Sequence, residues 1–492
     1  MKRFLVVGAG LGGLSAAIRL ARQGYRVTVL EKNEGIGGKM NLWADKGFTF
    51  DTGPTLLTMP FVLEDLFSFV GKKLEDHLDL VPVDPICRYF FPDGVRLDAS
   101  SDSVKMEEEI RRLNPADVEN FRRFMGHAAE IYRAAAGPFL FTGLTSLSAK
   151  GVLKNLKNLA SVFRIDAFRT LNSAVSSYFE DTHLRQVFNR FATYNGSSPF
   201  LAPATLAIIP YVEMHMGGWY VRGGMYRVAV ALERLAREEG VEIRTGVEVV
   251  GIVEKKGVAG GVLTADEGFL PADGVVSNAD ALYAREHLLV RESKGPHRDG
   301  VEPSLAGFVM LLGVRKIFPT LMHHNIFFSA DYRAEFDALL KDQRPASDPT
   351  VYVALSCLHD PGHAPRACSN LFVLVNAPAL SPRVNWDEER ISYRKTVLRK
   401  LAQFGVEISE SDIETEKIVT PSDFEKRYHA HRGAIYGTSS NSRMAAFLRP
   451  PNRAREMKNL FFVGGSSHPG GGIPLVLLSG KIVADLIQEQ WG

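Results

Sequence analysis

Apolar residues run without a break from Phe4 to Val7, as in a strand buried on both faces, and after a glycine-rich turn they recur at Leu14, Ala17, Ile18 and Ala21, one face of a helix. Val27 to Leu30 predicts a second buried strand. Asp93-Gly94 predicts a hairpin turn between Cys87–Phe91 and Val95–Leu97, within a run of short strands from Asp76 to Leu97. From Glu107 to Val187 the spacing of Ile110, Leu113, Phe121, Phe124, Met125, Ile131 and Tyr132 predicts mostly helix, with Pro115 and Gly137-Pro138 as breakers. Gly223-Gly224 opens a helix expected to run to Glu239. Val247 to Asn278 alternates apolar and polar residues between glycine turns, which predicts an antiparallel meander. Further on, Leu305–Val314, Thr350–Leu355 and Leu371–Val375 predict long apolar strands, Asp387–Phe404 a helix, Leu460–Val463 a short buried strand, and Ile473–Gln490 a last helix.

The turn between the first strand and helix carries Gly8, Gly10, Gly12 and Gly13. Gly8 permits a tight turn, Gly10 lets backbone approach a pyrophosphate, Gly13 allows close helix-to-strand packing, and the helix start offers unpaired N–H groups to an anion. Glu31 ends the second strand, where a carboxylate accepts hydrogen bonds from ribose hydroxyls. This arrangement predicts a dinucleotide site that disfavours a ribose phosphate. A second glycine set follows, Gly35-Ile-Gly37-Gly38-Lys39, then Gly47-Phe-Thr-Phe-Asp51-Thr-Gly53-Pro54-Thr55. A simple nicotinamide-binding unit does not need it, whereas FAD enzymes often carry it. Lys39 can neutralise phosphate as a point charge, the bland alternative being a solvated lysine.

At 492 residues the chain is too long for one compact core, so two interleaved domains are expected. Lys plus Arg number 58 against 56 Asp plus Glu, a formal charge of +2, so no global attraction to nucleic acid is expected. Cys87, Cys357 and Cys368 form no Cys-x-x-Cys pair, which predicts neither a disulfide framework nor a metal site and fits a reducing cytoplasm. The first apolar run leads into glycines and Arg19, as a core strand rather than a signal peptide does. The uncharged run from Ala192 to Val212 contains Pro199, Pro203 and Pro210, so no transmembrane helix is expected.

These glycine motifs, with Val221-Arg222-Gly223-Gly224, Val276-Ser277-Asn278-Ala279-Asp280 and the C-terminal Val463-Gly464-Gly465-x-x-His468-Pro469-Gly470-x-Gly472-Ile473-Pro474, resemble the bacterial and fungal phytoene desaturase family of FAD-dependent carotenoid desaturases over nearly the whole chain. The resemblance implies an α/β fold: a Rossmann-like FAD-binding domain of the glutathione-reductase/amine-oxidase type, an interleaved mixed-sheet substrate domain and a helical insertion. It implies a division into 1–75, 205–282 and 455–492 for FAD, 76–106 and 283–454 for substrate, and 107–204 for the insertion. The implied FAD-binding residues are Gly8, Gly10, Leu11, Gly12, Gly13, Glu31, Lys32, Gly38, Lys39, Thr55, Leu56, Val247, Asn278, Gly464, Gly465, Gly472, Ile473 and Pro474. Implied partners are a carotenoid or other long isoprenoid, a membrane surface, and oxygen or a quinone as electron acceptor, in a protein held peripherally at the cytoplasmic face of a membrane. Asp51–Met59 and Ile86–Gly94 look closer to the hydroxycarotenoid 3,4-desaturase branch than to enzymes that begin with phytoene.

The sequence offers no nucleophile, metal cluster or paired carboxylates, so the hard chemistry is expected of the flavin. Desaturation also needs a proton acceptor, for which His468, His429, His431 and the neighbouring Arg432 are the candidates, each weighed against a structural role. From Phe139 to Arg169, Lys150, Lys154, Lys157 and Arg164 interleave with leucines. That composition suits an interfacial helix and equally a helix packed on its own core with a solvated basic face. Two other classes share the fold: a flavin amine oxidase or protoporphyrinogen oxidase, and a non-enzymatic prenyl-lipid carrier of the Rab-escort kind. The C-terminal motif lacks a cysteine for covalent flavin, and the intact glycines with Glu31 argue against the carrier.

Overall fold

The computed structural model describes residues 1–141, 165–290, 302–442 and 449–492. Its organising sheet has five strands, all parallel, in the order Leu460–Phe462, Gly274–Ser277, Arg3–Val7, Arg26–Glu31, Glu242–Thr245. Phe4 to Val7 are buried, as an unbroken apolar strand between covered faces must be. On one side lie the helices Leu11–Arg22, Arg227–Glu238 and Ile473–Trp491, whose apolar faces share one core with the strand. The first and last of these cross at very short range. Ser15 Oγ donates to the Leu477 carbonyl at 2.8 Å, and a Cβ placed on Gly480 would lie 2.7 Å from the Ala16 nitrogen. Small residues at this crossing let two helices from opposite ends of the chain start side by side on the same cavity.

The meander expected over 247–278 holds for Val249–Lys255, Val258–Thr264 and Gly268–Pro271, which pair antiparallel. Gly274–Ser277 departs from it. This segment leaves the meander and pairs in parallel with both Arg3–Val7 and Leu460–Phe462. All four residues are buried, and a strand without a polar face suits the doubly covered parallel sheet rather than an open antiparallel one.

A second, seven-stranded sheet takes the order Ile413–Val419, Ala306–Val314, Ser369–Ala377, Val351–Ala354, His324–Phe327, Cys87–Phe90, Arg96–Ala99, antiparallel except where His324–Phe327 meets Cys87–Phe90. The hairpin predicted at Asp93-Gly94 closes with Phe91 N–H on the Val95 carbonyl at 3.0 Å. Along Ala306–Val314 alternation decides the faces: Phe308, Met310 and Leu312 pack toward the helix Trp386–Gln403 through Trp386, Tyr393 and Val397, while Val309 turns to the cavity.

The region expected to be helical contains Ser103–Leu113, Asp117–Ala135, Leu171–Tyr178 and Thr182–Arg190. Asp102 and Asp181 cap two of these, accepting from Val104 N–H at 2.9 Å and Leu184 N–H at 3.0 Å. The greater part of the basic, leucine-rich stretch, residues 142–164 with Lys150, Lys154, Lys157 and Arg164, lies outside the described residues. Among the described residues no helix is long and apolar enough to cross a membrane, and no group of His, Cys, Asp and Glu stands together as a metal set.

Candidate active site

A cavity of about 630 Å3 is lined by the ends of the parallel sheet, by the starts of the first and last helices and by one face of the seven-stranded sheet. Every residue implied above for the dinucleotide lines it except Gly13. Gly13 serves packing instead, since a Cβ there would sit 2.3 Å from the Gly8 carbonyl oxygen, and its absence is what lets the helix close on the strand. Gly8, at φ +96°, makes the turn. The side chain of Asn278 fills the space above the turn, so that a Cβ on Gly10 would meet its Nδ2 at 2.6 Å and one on Gly12 its Oδ1 at 2.8 Å. The helices Leu11–Arg22 and Ile473–Trp491 begin at Gly10 and Gly472 without side-chain caps, leaving their first N–H groups to the cavity.

Glu31 is buried and accepts from Ala9 N–H at 2.8 Å and Asn33 N–H at 2.9 Å. With a third bond from Asn33 Nδ2 at 2.7 Å, these hold its carboxylate at the strand end with a lone pair to spare for a ribose hydroxyl. Val247 N–H bonds the Glu31 carbonyl at 2.9 Å, which ties the second chain passage to this end of the cavity. His429 lies here too, 3.6 Å from Glu248 and stacked on Tyr283 at 4.2 Å between ring centres; burial and then Lys32 hold its pKa below the usual histidine value. Lys39 is sunk beside Asp280 and donates to the Ile435 carbonyl at 2.9 Å. Burial pushes the lysine down and the aspartate up, and each is partly restored by the other's charge.

Of the four proton-acceptor candidates, His468 and His429 line the cavity. His431, 3.3 Å from Glu286, and Arg432, whose Nε donates to the Leu380 carbonyl at 2.8 Å, stand off its wall.

Several cavity residues carried no signal in the sequence. Arg449 is buried and donates from Nη1 to the Tyr436 and Gly465 carbonyls at 2.9 and 3.1 Å, while its Nη2 is buried without a hydrogen-bond partner among the described residues; desolvation lowers its pKa to about 10. Away from the glycine turns the wall becomes apolar, with Leu206, Ile208, Ile209, Val212, Val309 and Ile326. Into it project Arg190, which ends one helix, and Glu213 from the helix Ile208–Met216, 3.4 Å apart. Cys87 is beside them, and burial pushes its thiol up to about 12.

His324 sits where the two halves of the wall meet, its Nδ1 2.8 Å from the Ile86 carbonyl and its Nε2 3.2 Å from that of Thr55. Burial lowers its pKa from 6.5 to about 4. The unfolded chain therefore takes up this proton first as pH falls. The stability contributed by neutral His324 is complete above pH 6.5 and is lost progressively down to about pH 4. That loss comes to about 3 kcal/mol. Melting of the parent and of His324→Gln across pH 7.5 to 4.5 checks it: the parent should lose stability faster, and parallel curves would refute the assignment.

The sequence profile of flavin containing amine oxidoreductases matches residues 11–488. The chain is 40% identical over 490 residues to a 4,4'-diapolycopene oxygenase of Methylomonas sp, covering 99% of this chain and 98% of that protein. It is 36% identical over 489 residues to a 1-hydroxycarotenoid 3,4-desaturase of Flavobacterium sp. (strain P99-3), covering 99% of each. Among solved structures, an oxidoreductase from Methanosarcina mazei superposes with a TM-score of 0.64 at 18% identity, over 98% of this chain and all of that one, a likeness of fold.

Proposed function

The chain belongs to the family of flavin-containing amine oxidoreductases, and from that premise we propose that it is an FAD-dependent carotenoid desaturase whose substrate is a 1-hydroxycarotenoid oxidised at the 3,4 bond. The observation that supports this best is a continuous cavity in which a dinucleotide cradle opens directly onto a long apolar wall. The cradle fits FAD: Gly10, Gly12 and Gly464 stand where a Cβ would clash, a buried carboxylate waits at the ribose end, two uncapped helix starts face the cavity, and Arg449 keeps one buried nitrogen unpaired.

FAD, held by the glycine turns, Glu31 and Arg449, would supply the two-electron acceptor for a hydride from one allylic carbon, with oxygen or a quinone as the final acceptor. The chain's own residues orient the polyene and exclude water, and they accept the proton from the adjacent carbon. Each buried methylene contributes about 0.8 kcal/mol, so the apolar wall needs few polar contacts for affinity. His429 stands with Lys32 and Glu248 at the Glu31 end, whereas His468 lines the cavity beside the C-terminal glycine turn and is the proton-acceptor candidate to test first.

The proposed FAD domain, 1–75, 205–282 and 455–492, is supported by the parallel sheet, which draws its strands from all three segments. The proposed substrate domain, 76–106 and 283–454, is supported by the seven-stranded sheet, and the insertion, 107–204, by its helices. Peripheral attachment to a membrane through the Phe139–Arg169 stretch is supported by its basic and leucine-rich sequence.

A second reading is oxygenation of the polyene, favoured by the 40% identity to a diapolycopene oxygenase. Mass spectrometry of products from the FAD-loaded protein in vesicles, offered a 1-hydroxycarotenoid, phytoene and diapolycopene in separate reactions, decides between them. Desaturation removes two hydrogens, whereas oxygenation adds oxygen. Loss of two hydrogens from the hydroxylated polyene is expected; conversion of phytoene alone would overturn the choice of substrate, and oxygen gain alone the choice of reaction.

A further inference from the structure

The apolar half of the cavity contains a charged pair that a hydrocarbon would not need. Arg190 and Glu213 both line the wall and both are buried, at 7% and 1% exposure. Their setting is built rather than incidental. The Arg190 guanidinium carbon lies 4.3, 5.1 and 5.4 Å from the ring centres of Phe191, Tyr194 and Tyr89, which fix its plane. Its Nη2 donates to the Tyr89 hydroxyl at 2.7 Å and reaches Glu213 Oε1 at 3.4 Å, and the Tyr194 hydroxyl donates to Glu213 Oε2. Both hydrogen bonds of Arg190 use the same nitrogen, Nη2; Nε is sealed in without a partner, and Nη1 makes no hydrogen bond, among the described residues.

Stability does not account for the pair. A buried ion pair is commonly no better than apolar side chains of the same volume, and an orphaned N–H in such a place costs free energy until something accepts from it. We propose that Arg190 and Glu213 form a recognition site for a neutral oxygen, a hydroxyl or carbonyl, carried on the isoprenoid substrate, with Arg190 as the donor and Glu213 as the group that balances and orients it. The balance of charge selects the ligand class. Glu213 already offsets the guanidinium, so a carboxylate bound there would leave net negative charge in a dry wall, whereas a neutral oxygen brings none. A plain hydrocarbon would desolvate the Arg190 donors and offer nothing in return.

The inference rests on the carotenoid reading above, and its test separates the two. FAD-loaded full-length protein in phosphatidylcholine vesicles is titrated with a 1-hydroxylated acyclic carotenoid and, separately, with the hydrocarbon lacking only that hydroxyl. Binding is read from the polyene absorption shift and turnover from kcat and KM. The ratio between the two polyenes within one preparation cancels any general loss of folded protein. The parent should prefer the hydroxylated polyene in Kd by roughly 10- to 100-fold. In the double variant Arg190→Met with Glu213→Gln, which leaves no unpaired charge, the ratio should fall toward one. Arg190→Lys, which keeps the charge but loses the guanidinium's fixed fork of donors, should fall between. A parent ratio near one, or a ratio that survives both variants, overturns the site while leaving the carotenoid reading intact. A parent that binds and oxidises neither polyene overturns the carotenoid reading, and the site with it.

Discussion

Gly13→Ala should yield a protein that purifies without flavin and melts well below the parent. The added methyl would sit 2.3 Å from the Gly8 carbonyl oxygen, 3.2 Å from Asn278 Cβ and 3.3 Å from Val6 Cγ1. The first contact is backbone against backbone in the turn itself, so no rotamer change relieves it. Overpacking of this kind costs roughly 1–3 kcal/mol. The relief available is a shift of the helix Leu11–Arg22, which would carry the uncapped N–H groups away from the cavity and uncouple the crossing of Ser15 with Leu477 and Gly480. Losing the cofactor removes a further stabilisation, about 4 kcal/mol for a ligand present at a thousand times its Kd. Gly35→Ala is the control, since nothing lies within 4 Å of a Cβ there and its φ is not positive. The flavin-to-protein absorbance ratio and the melting temperature, with and without added FAD, give the answer. Full flavin content in the Gly13 variant would show that the helix tolerates the methyl.

The second large effect is expected at Asp51. Its buried carboxylate accepts from Met225 N–H and Tyr226 N–H, both at 2.9 Å, and so joins the strand Phe48–Asp51 to the turn Gly223-Gly224 ahead of the helix Arg227–Glu238. Burial pushes the carboxylate pKa up, and those same two N–H groups pull it back. Asp51→Ala leaves two buried donors without acceptors, at about 1–3 kcal/mol each, so a loss of about 2–6 kcal/mol is expected. Asp51→Asn keeps one acceptor oxygen but turns an NH2 donor toward the other N–H, so it should lose at least half as much. Urea midpoints of the two variants against the parent measure the difference. An alanine variant with the parent's midpoint would mean that the carboxylate is not what holds this junction.

What the sequence revealed and what it hid follow from how far each feature reaches along the chain. The strand, turn and helix from Arg3 to Arg22 are local, and their glycines and apolar spacing announced them. The hairpin at Asp93-Gly94 was legible for the same reason. Gly274–Ser277 reads as the end of a meander because it follows three antiparallel strands, and its true neighbours, Arg3–Val7 and Leu460–Phe462, lie at the two ends of the chain. Asp51 and Gly223-Gly224 each stand out as motifs, but their union is a hydrogen bond across most of the intervening chain. Arg190, Glu213 and Arg449 gave no signal at all. Glu213 in an apolar helix and Arg190 at the end of a polar one both read as solvated positions, and only the packing of separate elements turns them inward.

The parallel sheet also bears on how the protein is made. Its strand at one edge, Leu460–Phe462, and the helix Ile473–Trp491 that starts on the cavity are made long after the glycine turn they complete. Until they arrive, the apolar face of Leu11–Arg22 has no cover and the glycine turn at Gly10 lacks its counterpart at Gly464. A nascent chain that has not reached them therefore holds exposed apolar surface, the condition under which chaperones are recruited and aggregation competes. The flavin cavity is thus completed only after most of the chain between the glycine turn and Leu460–Phe462 has been translated, so cofactor capture must follow rather than guide the folding of the first strand, turn and helix.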